Sequence, residues 1–442
     1  MNSEYKLSRY IYIADKKDYI AIYSYINSKI AFCNVKEDIE LFRVFLRTGD
    51  YYKTNFTQTL INYDMIIDIN YDEDMLLSYL FNNYLSKNKT LLVIMIPSEL
   101  CNFNCKYCYE EKDSNVMSDE ILNGSINFIK IIVEENSYKS VQIEWFGGEP
   151  TLFENLIIKF LNLLKYILPD IVITSSMTTN GYLLDYDMFN RFLNNGIVRY
   201  QITLDCFAET HDKLRVTKDN EKTWDVIYNN LKVIKNIEKD FNIILRINYN
   251  ELMLDEIFNF LLFIKNELGN KFIIHLHPII NFDETKDFTH EMCDPSISEL
   301  AKFPLFEFIA ENEVISDIPL LYTSFGSQIC YAAKPNSFVI DSKGIIRKCT
   351  VALNKDYNEV GIIRDRYNFN INLFKLAKWT EINFNNNRCN RCSCLPTCNG
   401  THGCPLKIVS KAKEERGCNI NINLAEAYID KIIERVYKNN YV

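Results

Sequence analysis

The sequence predicts an α/β core with a small mixed domain before it and a cysteine-rich segment after it. Three observations predict this arrangement. Aromatic and apolar residues alternate with polar ones up to about residue 88, six apolar runs alternate with helical stretches from 91 to about 280, and cysteines become frequent from 330 onward. The predicted boundaries follow these changes. They are 1–88, 89–285, a connecting segment 286–325, and 326–442.

The N-terminal region is predicted to be a small α+β domain. RYIYIAD and YIAIYSY have the alternation of strands, whereas DIELFRVFL and EDMLLSYLFNNYL have the apolar spacing of helices. The polar run SKNKT at residues 86–90 is the predicted linker to the core.

The core repeats short buried strands between amphipathic helices. Because such crossovers are right-handed and join parallel strands, the alternation predicts a parallel sheet. Six units are too few for a closed eight-stranded barrel, so a partial (β/α)6 barrel or an open sheet fits, with functional residues at the carboxyl ends of the strands. The predicted strands are LLVIMI, VQIEWF, IVITSSM, YQITLD, IILRINY and FIIHLHPII.

Composition excludes several classes of protein. The 442 residues carry 49 basic and 58 acidic side chains, a net charge of −9, with no basic run. Such a chain is a poor partner for nucleic acid or an anionic membrane. No apolar stretch approaches the roughly 20 residues of a membrane span, and the N-terminus lacks the apolar core of a signal peptide. We therefore expect a cytoplasmic protein, whose 14 cysteines favour metal ligation over disulfides.

Three cysteines follow the first core strand. Cys101, Cys105 and Cys108 have the spacing C-x3-C-x2-C in the loop where that strand ends. Three thiolates can hold three irons of a four-iron cluster and leave the fourth iron open to a substrate or cofactor. The alternative is a structural zinc site, which normally takes four ligands, commonly as two close pairs.

This motif, at the start of a βα-repeat domain, resembles the radical S-adenosylmethionine (SAM) superfamily. The next strand ends in Phe146-Gly147-Gly148-Glu149-Pro150, which resembles the GGEP motif of that family. Two glycines allow the backbone to approach a ligand closely, and Glu149 can accept hydrogen bonds from an ammonium group. The resemblance implies that the loop cysteines hold a SAM-binding cluster. One electron from it cleaves SAM to methionine and a 5′-deoxyadenosyl radical, which takes a hydrogen atom from the substrate.

Later segments extend the resemblance. The run from Thr178 to Gly181 resembles the segment that borders the ribose of SAM. Thr203-Leu-Asp205, followed by His211-Asp212-x-x-Arg215, resembles S-x-D-G and H-D-x-x-R, although Thr203 replaces serine and Cys206 replaces glycine. An arginine on the fifth strand can meet a carboxylate or serve the structure. The predicted cofactor-binding residues are Tyr107, Gly147, Gly148, Glu149, Thr179, Asn180, Thr203 and Arg246.

The C-terminal cysteines resemble the SPASM extension of radical SAM enzymes, which binds two auxiliary four-iron clusters and acts on peptides and proteins. The resemblance implies three [4Fe-4S] clusters in all. It assigns Cys330, Cys349 and Cys404 to the first auxiliary cluster, and Cys389, Cys392, Cys398 and Cys418 to the second. The cysteines left over are Cys33, Cys206, Cys293 and Cys394.

The sequence departs from the SPASM pattern in two places, and one alternative interpretation of these cysteines stays open. The loop from Asn399 to Gly403, which contains His402, is longer than usual, and residues 331–340 lack an expected cysteine. The first auxiliary cluster then has an open iron or takes Cys394. The alternative is a zinc ribbon built on the pairs Cys389/Cys392 and Cys398/Cys404.

The layout most resembles maturases of cysteine-rich ribosomal peptides of the thioether-forming ranthipeptide type. The N-terminal domain then binds the leader of a precursor peptide as an added strand, or serves as a structural cap. The expected electron donor is a flavodoxin or ferredoxin-type protein. Sulfatase-maturating relatives carry an aspartate directly after the cysteine that matches Cys349, and here that position is Thr350.

Three other functions stay open. The first is an anaerobic sulfatase-maturating enzyme that forms formylglycine. The second is a peptide epimerase, in which Cys206, at the end of the fourth strand, donates a hydrogen atom as the candidate catalytic residue; the alternative is a small buried cysteine. The third is a non-catalytic iron–sulfur or zinc protein that binds a partner.

Overall fold

The computed structural model divides the chain into two units. It describes residues 4–111, 113–279, 304–305, 307–309, 311–317, 323–381, 389–398, 400, 404–409 and 422–441. Unit 1 contains 1–88, 319–333 and 381–442, and unit 2 contains 89–318 and 334–380. This grouping differs from the predicted boundaries, because residues 334–380 belong with the core. The predicted ligand Cys418, like Cys293 and His402, lies outside the described residues.

Unit 1 contains the predicted N-terminal strands and helices. Strands β2, β3 and β4 form an antiparallel sheet in that order, and β1 pairs with β5. The strands are β1 (Tyr5–Leu7), β2 (Ile11–Asp15), β3 (Ile20–Ser24), β4 (Ile30–Cys33) and β5 (Ile66–Asp68). The helices of the N-terminal part span Lys36–Thr48, Asn55–Asn62 and Glu73–Lys87. Phe42, Phe56 and Leu60 on the first two helices pack with Ile20 and Ile22 of the sheet into one apolar core.

The C-terminal helix, Ile422–Tyr441, packs on this N-terminal sheet. Lys16 donates to Asp430 across 2.7 Å, and the rings of Tyr19 and Tyr437 stack with centroids 4.0 Å apart. Both ends of the chain therefore build unit 1, a pairing that no local sequence pattern indicates. Short helices at Leu395–Cys398 and Leu406–Val409 also belong to this unit.

Unit 2 contains the predicted parallel sheet. Six parallel strands lie side by side in chain order, which confirms the α/β fold class. They are β6 (Thr90–Met95), β7 (Ser140–Trp145), β8 (Val172–Thr179), β9 (Ile197–Thr203), β10 (Asn242–Tyr249) and β11 (Phe272–Pro278). The helices between them span Asp119–Asn136, Glu154–Ile167, Tyr186–Asn194, Ala208–Leu214, Trp224–Ile234 and Leu254–Leu268.

The sheet continues beyond the predicted strands. Strand β12 pairs in parallel with β6, and β13, β14 and β15 follow it as antiparallel neighbours. These strands are β12 (Ser337–Ile340), β13 (Ile345–Arg347), β14 (Glu359–Ile363) and β15 (Phe369–Ile371), and a helix spans Leu373–Trp379. Because β12 extends the same sheet, the segment that carries Cys349 is built onto the core.

Parallel strands point their carboxyl ends toward one edge of the sheet. Trp145, near the end of β7, is fully buried and donates from its ring nitrogen to the Ser175 hydroxyl at 3.1 Å, which fixes β7 against β8. The loops after β6 to β10 therefore start from a rigid base.

In the part of the chain that the structure describes, no helix is both long and apolar enough to cross a membrane.

Candidate active site

A cavity of about 290 Å³ lies where the core strands end. This volume is close to the lower end of the roughly 300–1,000 Å³ of small-molecule sites. Every predicted core ligand and cofactor residue except Glu149 lines it. These residues are Cys101, Cys105, Cys108, Tyr107, Gly147, Gly148, Thr179, Asn180, Thr203 and Arg246.

The cysteine loop is held by its own backbone. The amide of Asn104 donates to the carbonyl of Val216 at 2.8 Å, and the amide of Lys106 donates to Leu214 at 2.9 Å. Lys218 returns a bond from its amide to the carbonyl of Asn102 at 3.0 Å. The loop therefore runs alongside residues 214–218, and its three thiols keep fixed places on the cavity wall.

The glycine turn after β7 packs against the start of this loop. The amide of Gly148 donates to Ser98 at 3.2 Å, and the amide of Glu149 donates to Leu100 at 2.8 Å. A Cβ added to Gly148 would lie 2.1 Å from the Leu100 carbonyl oxygen, and Gly147 has a φ of 112°. The close approach predicted toward a ligand is thus also an approach to the protein's own backbone.

Glu149 lies behind the cavity wall instead of on it. Its side chain is 1% exposed, and its carboxylate accepts bonds from the Thr151 amide at 3.0 Å, the Thr179 hydroxyl at 2.6 Å and the Asn180 amide at 2.7 Å. Burial raises the pKa of this carboxyl group. These bonds join the glycine turn to the end of β8, and the contact of Glu149 with an ammonium group stays a prediction.

Tyr107 connects the cysteine loop to the fourth and fifth strands. Its hydroxyl donates to the carboxylate of Asp205 and accepts from Arg215 Nη1 at 2.8 Å and from Asn248 Nδ2 at 3.1 Å. Asp205 is fully buried and also accepts from the backbone amide of Asn248 at 2.7 Å. Tyr107 is thus an anchor for the loop as well as part of the cavity wall.

Arg215 supplies a buried positive charge beside the cysteines. It is 7% exposed, its guanidinium lies over the Phe103 ring, and its Nε has no hydrogen-bond partner among the described residues. Burial lowers the pKa of Arg215, but the neighbouring Cys105, Tyr107 and Asp205 outweigh this effect, so the pKa lies well above its usual value. The loop is therefore set in a cationic environment that suits a negatively charged group.

His211 and Asp212 brace the loop that follows β9. The Asp205 amide donates to His211 Nδ1 at 3.0 Å, and Nε2 lies 3.1 Å from the Thr223 hydroxyl, which itself donates to the Arg215 carbonyl. Nδ1 is therefore an acceptor and Nε2 carries the proton. Asp212 Oδ1 accepts from the amides of Thr223 and Trp224 at 3.0 Å each, at the start of the next helix.

His211 gives a prediction about pH. Burial lowers the pKa of His211 well below its usual value, so below about pH 6.5 only the unfolded chain binds this proton. Stability from this group is complete above that pH and falls by about 1.4 kcal/mol per pH unit below it. A His211→Gln variant should show a smaller drop in unfolding temperature between pH 7.5 and 5.0 than the wild type. Equal drops would contradict this.

Cys206 lies behind the cavity wall. It is fully buried, has a φ of 55°, and its carbonyl accepts from the Trp224 ring nitrogen at 2.9 Å. The left-handed backbone explains why glycine is favoured at this position in the family motif. Its placement supports the structural interpretation, and its role as a hydrogen-atom donor stays a hypothesis.

Several residues of the wall were not predicted from the sequence to line it. Asn248 and Gln201 line the cavity from β10 and β9, and Thr350 lines it directly after Cys349. His277 pairs Nδ1 with the Pro278 carbonyl at 2.7 Å and also lines the cavity. Alternation along β10 is the signal that indicates Asn248, because Arg246 and Asn248 face the same side of that strand.

The remaining cysteines fall into both units. Cys349 lies in unit 2, and its amide donates to Asn358 Oδ1 at 2.9 Å. Cys330, Cys389, Cys392, Cys394, Cys398 and Cys404 lie in unit 1. Hydrogen bonding with Cys394 lowers the pKa of Cys392. In the described part of the chain, no three cysteine, histidine or acidic side chains converge closely enough to hold a single metal ion.

Residues 95–261 match the sequence model of the Radical SAM superfamily. The chain contains a radical SAM domain. The match includes the cysteine loop, the glycine turn and the Tyr107 network, so the geometry described above belongs to this domain.

The similarity of this chain to three other proteins extends beyond the radical SAM domain. The cysteine-type anaerobic sulfatase-maturating enzyme of Clostridium novyi is 26% identical over 375 residues, covering 79% of this chain and 96% of that protein. The structure of native anSMEcpe with bound AdoMet and Cp18Cys peptide has a TM-score of 0.61 at 20% identity, covering 79% of this chain and 98% of that one. SuiB of Streptococcus suis bound to precursor peptide SuiA has a TM-score of 0.51 at 15% identity, covering 94% and 100%. Both structures resemble this chain in fold.

The cavity fits the groups that a radical SAM domain takes, a four-iron cluster and SAM. Three thiols share one wall. The buried guanidinium of Arg215 interacts electrostatically with Cys105, and its Nε has no hydrogen-bond partner among the described residues. Burial raises the pKa of Cys101 to about 12, so this thiol ionises readily only when a metal binds it. Polar groups of Thr179, Asn180 and Thr203 on the same wall suit a polar cofactor.

Proposed function

We propose that this protein is an enzyme that cleaves SAM reductively and takes a hydrogen atom from a peptide or protein. The observation that carries the proposal is that the three loop cysteines, the glycine turn and polar residues of β8, β9 and β10 line one cavity inside the radical SAM domain. When bound, the reduced cluster and SAM supply the electron and the carbon radical for this chemistry.

The chain's own residues would bind the cluster, orient the cysteine loop and shield the cavity from water. Cys101, Cys105 and Cys108 would hold three irons, and Tyr107 keeps their loop in register with Asp205. Arg215 balances the negative charge of the thiolates. The rings of Phe103 and Phe146 on the cavity wall limit the access of water, which protects a reactive radical.

The similar proteins support a peptide or protein as the substrate. Both structures compared above contain a bound peptide, and the Clostridium novyi relative is named for the maturation of a sulfatase. The alignment with SuiB extends over 94% of this chain, against 79% for anSMEcpe. This longer match supports a maturase layout, in which unit 1 recognises the leader of a precursor peptide.

For the bond formed, we favour thioether crosslinking of a cysteine-rich precursor. Thr350 lines the cavity directly after Cys349, where the resemblance implies an aspartate base in sulfatase maturases. A hydroxyl is a poor base, so formylglycine formation would need another proton acceptor. Formylglycine formation is the second candidate, since 96% of the Clostridium novyi enzyme aligns with this chain.

Two auxiliary clusters complete the proposal. Cys330, Cys349 and Cys404 would hold one, and Cys389, Cys392, Cys398 and Cys418 the other. An open iron in the first would bind the substrate thiolate and lower its pKa. A flavodoxin or ferredoxin-type protein would supply electrons to the SAM-binding cluster.

The product of a defined peptide tests the proposal. The enzyme is incubated without oxygen with SAM, a reductant and either a cysteine-rich precursor peptide or a sulfatase peptide containing cysteine. Loss of two hydrogens per link and blocked fragmentation between linked residues would support crosslinking. Loss of the cysteine sulfur would support formylglycine formation, and an unchanged mass with uptake of solvent deuterium would indicate epimerisation. No change in any peptide, without 5′-deoxyadenosine, would contradict the proposal.

Replacing Cys349 with alanine should separate two parts of the reaction. We expect loss of peptide crosslinking while SAM cleavage continues, because Cys349 is a ligand of the auxiliary cluster and not of the SAM-binding one. Peptide mass and 5′-deoxyadenosine are measured on the same sample. A Cys349→Ala enzyme that crosslinks at the wild-type rate would refute this role.

A further inference from the structure

A histidine and an aspartate form an ion pair on β11, beside the cavity. Nδ1 of His275 lies 2.6 Å from Oδ2 of Asp317. His275 is paired in the sheet with Arg246 and lies two residues before His277, and both of these neighbours line the cavity. Residues paired across parallel strands, like residues two apart along one strand, point to the same side of a sheet. The ring of His275 therefore faces the side that carries the cavity, and its centroid lies 6.1 Å from that of His277.

Asp317 is held in place by backbone hydrogen bonds to the same strand. The amide of Ile274 donates to the carbonyl of Ile315 at 2.8 Å, and the amide of Asp317 donates to the carbonyl of Ile274 at 3.3 Å. Residues 315–317 thus run alongside β11, an end strand of the sheet, and form a parallel bridge with it. The backbone therefore positions this carboxylate beside the His275 ring, and the ion pair does not depend on two long, mobile side chains.

The ion pair determines which ring nitrogen can accept a proton. An ionised carboxylate only accepts hydrogen bonds, so the neutral His275 ring carries its proton on Nδ1 and its lone pair on Nε2. Among the described residues, Nε2 has no hydrogen-bond partner, and 23% of the side chain is exposed. Oδ1 of Asp317 is buried and has no partner in the same part of the chain, so a positive charge on the ring would offset the cost of burying this carboxylate. His275 is therefore arranged as a base.

Both candidate reactions need a proton acceptor. Thioether crosslinking and formylglycine formation start from a cysteine thiol, and in each the sulfur gives up its proton. Thr350 lines the cavity directly after Cys349, and its hydroxyl is a poor base. His277 also lines the cavity, but its Nδ1 pairs with a neutral carbonyl, whereas that of His275 pairs with a carboxylate. A carboxylate partner stabilises the imidazolium that forms when the ring takes a proton.

We propose that His275 is the catalytic base that takes the proton of the substrate thiol, and that Asp317 is its positioning residue. The S–H bond breaks, an N–H bond forms at Nε2, and the electron pair of the broken bond stays on sulfur. The resulting imidazolium pairs with the carboxylate of Asp317. This step needs no oxidant. The role rests on the proposed function, which supplies the cysteine peptide.

A selenocysteine peptide separates proton removal from any other role of His275. A selenol loses its proton unaided at neutral pH, whereas most of a free thiol keeps it. Holoenzyme is incubated without oxygen with SAM, a reductant and a precursor peptide that carries either cysteine or selenocysteine. His275→Gln, whose amide can still donate to Asp317, should modify the cysteine peptide about a hundredfold more slowly than the wild type. It should modify the selenocysteine peptide at close to the wild-type rate.

Two further variants test the pair and control for nonspecific effects. Asp317→Asn should show the same selectivity, because asparagine can donate to Nδ1 and so move the ring proton to Nε2. Asp187→Asn changes an exposed acid in the first turn of a helix outside the cavity, and should leave both rates unchanged.

Three outcomes would contradict the role of His275. Equal slowing of both peptides by His275→Gln would show that the residue serves only the structure, and wild-type rates with both would show that it is not needed. A wild-type product whose thiol is unchanged would exclude thiol deprotonation from the reaction. A wild-type enzyme that forms no 5′-deoxyadenosine would instead defeat the proposed function, so the two failures are told apart on the same sample.

Discussion

Replacing Cys105 with alanine is expected to abolish SAM cleavage and to remove about four irons per chain. Cys105 lies between Cys101 and Cys108 on the cavity wall, and two thiolates are too few to hold a cluster with one open iron. If the proposed auxiliary clusters are present, they should stay, so the variant should remain brown. Iron content, the electron paramagnetic resonance of the reduced protein and 5′-deoxyadenosine formation measure the effect.

Cys33→Ala is the matched control for this experiment. Cys33 is buried in the core of unit 1, where its thiol donates to the Val35 carbonyl at 3.7 Å, and the resemblance gives it no cluster. Its replacement should leave iron content and SAM cleavage at the wild-type level. Full SAM cleavage by the Cys105→Ala enzyme would show that the loop cysteines do not hold the reactive cluster.

Replacing Gly148 with alanine is expected to displace the cysteine loop. The new Cβ would lie 2.1 Å from the Leu100 carbonyl oxygen and 2.5 Å from that of Glu99, and both are backbone atoms. Overpacking of this kind costs about 3 kcal/mol, and a shift of about 1 Å at a reacting group can lower the rate about a hundredfold. We expect a lower unfolding temperature and SAM cleavage reduced by about that factor.

Gly49→Ala separates crowding from the loss of a glycine. Gly49 ends a helix of unit 1 with a φ of 78° and has no neighbouring atom within 4 Å of an added Cβ. Its replacement should cost only about 1 kcal/mol, from the left-handed backbone, and leave SAM cleavage intact. If Gly148→Ala is as mild as Gly49→Ala, the packing of the glycine turn against the loop is not needed for activity.

The parallel strands and the position of the site were predictable because both depend on local patterns. Apolar runs bounded by polar turns predicted β6 to β11, and C-x3-C-x2-C at the end of β6 predicted which loop faces the cavity. The extension of the sheet by β12 was not predictable. Its four residues, SFVI, carry too little periodicity, and their partner β6 lies more than two hundred residues earlier in the chain.

The roles of side chains were harder to predict than the positions of their residues in the fold. Glu149 belongs to a recognisable motif, but only the fold shows that its carboxylate accepts hydrogen bonds from Thr179 and Asn180. Tyr107 was predicted as a cofactor-binding residue, but its hydroxyl also donates to Asp205, 98 residues along the chain. Such bonds depend on which loops meet at the sheet edge, and no sequence pattern reports that meeting.

Formation of 5′-deoxyadenosine is the measurement that tests the central claim most directly. Anaerobically purified, iron-loaded enzyme is reduced and supplied with SAM, and the nucleoside is quantified against SAM consumed. We predict 5′-deoxyadenosine equal to the SAM consumed, increased by a substrate peptide and lost when Cys105 is replaced. A fully iron-loaded, reduced enzyme that binds SAM yet forms no 5′-deoxyadenosine would contradict this account.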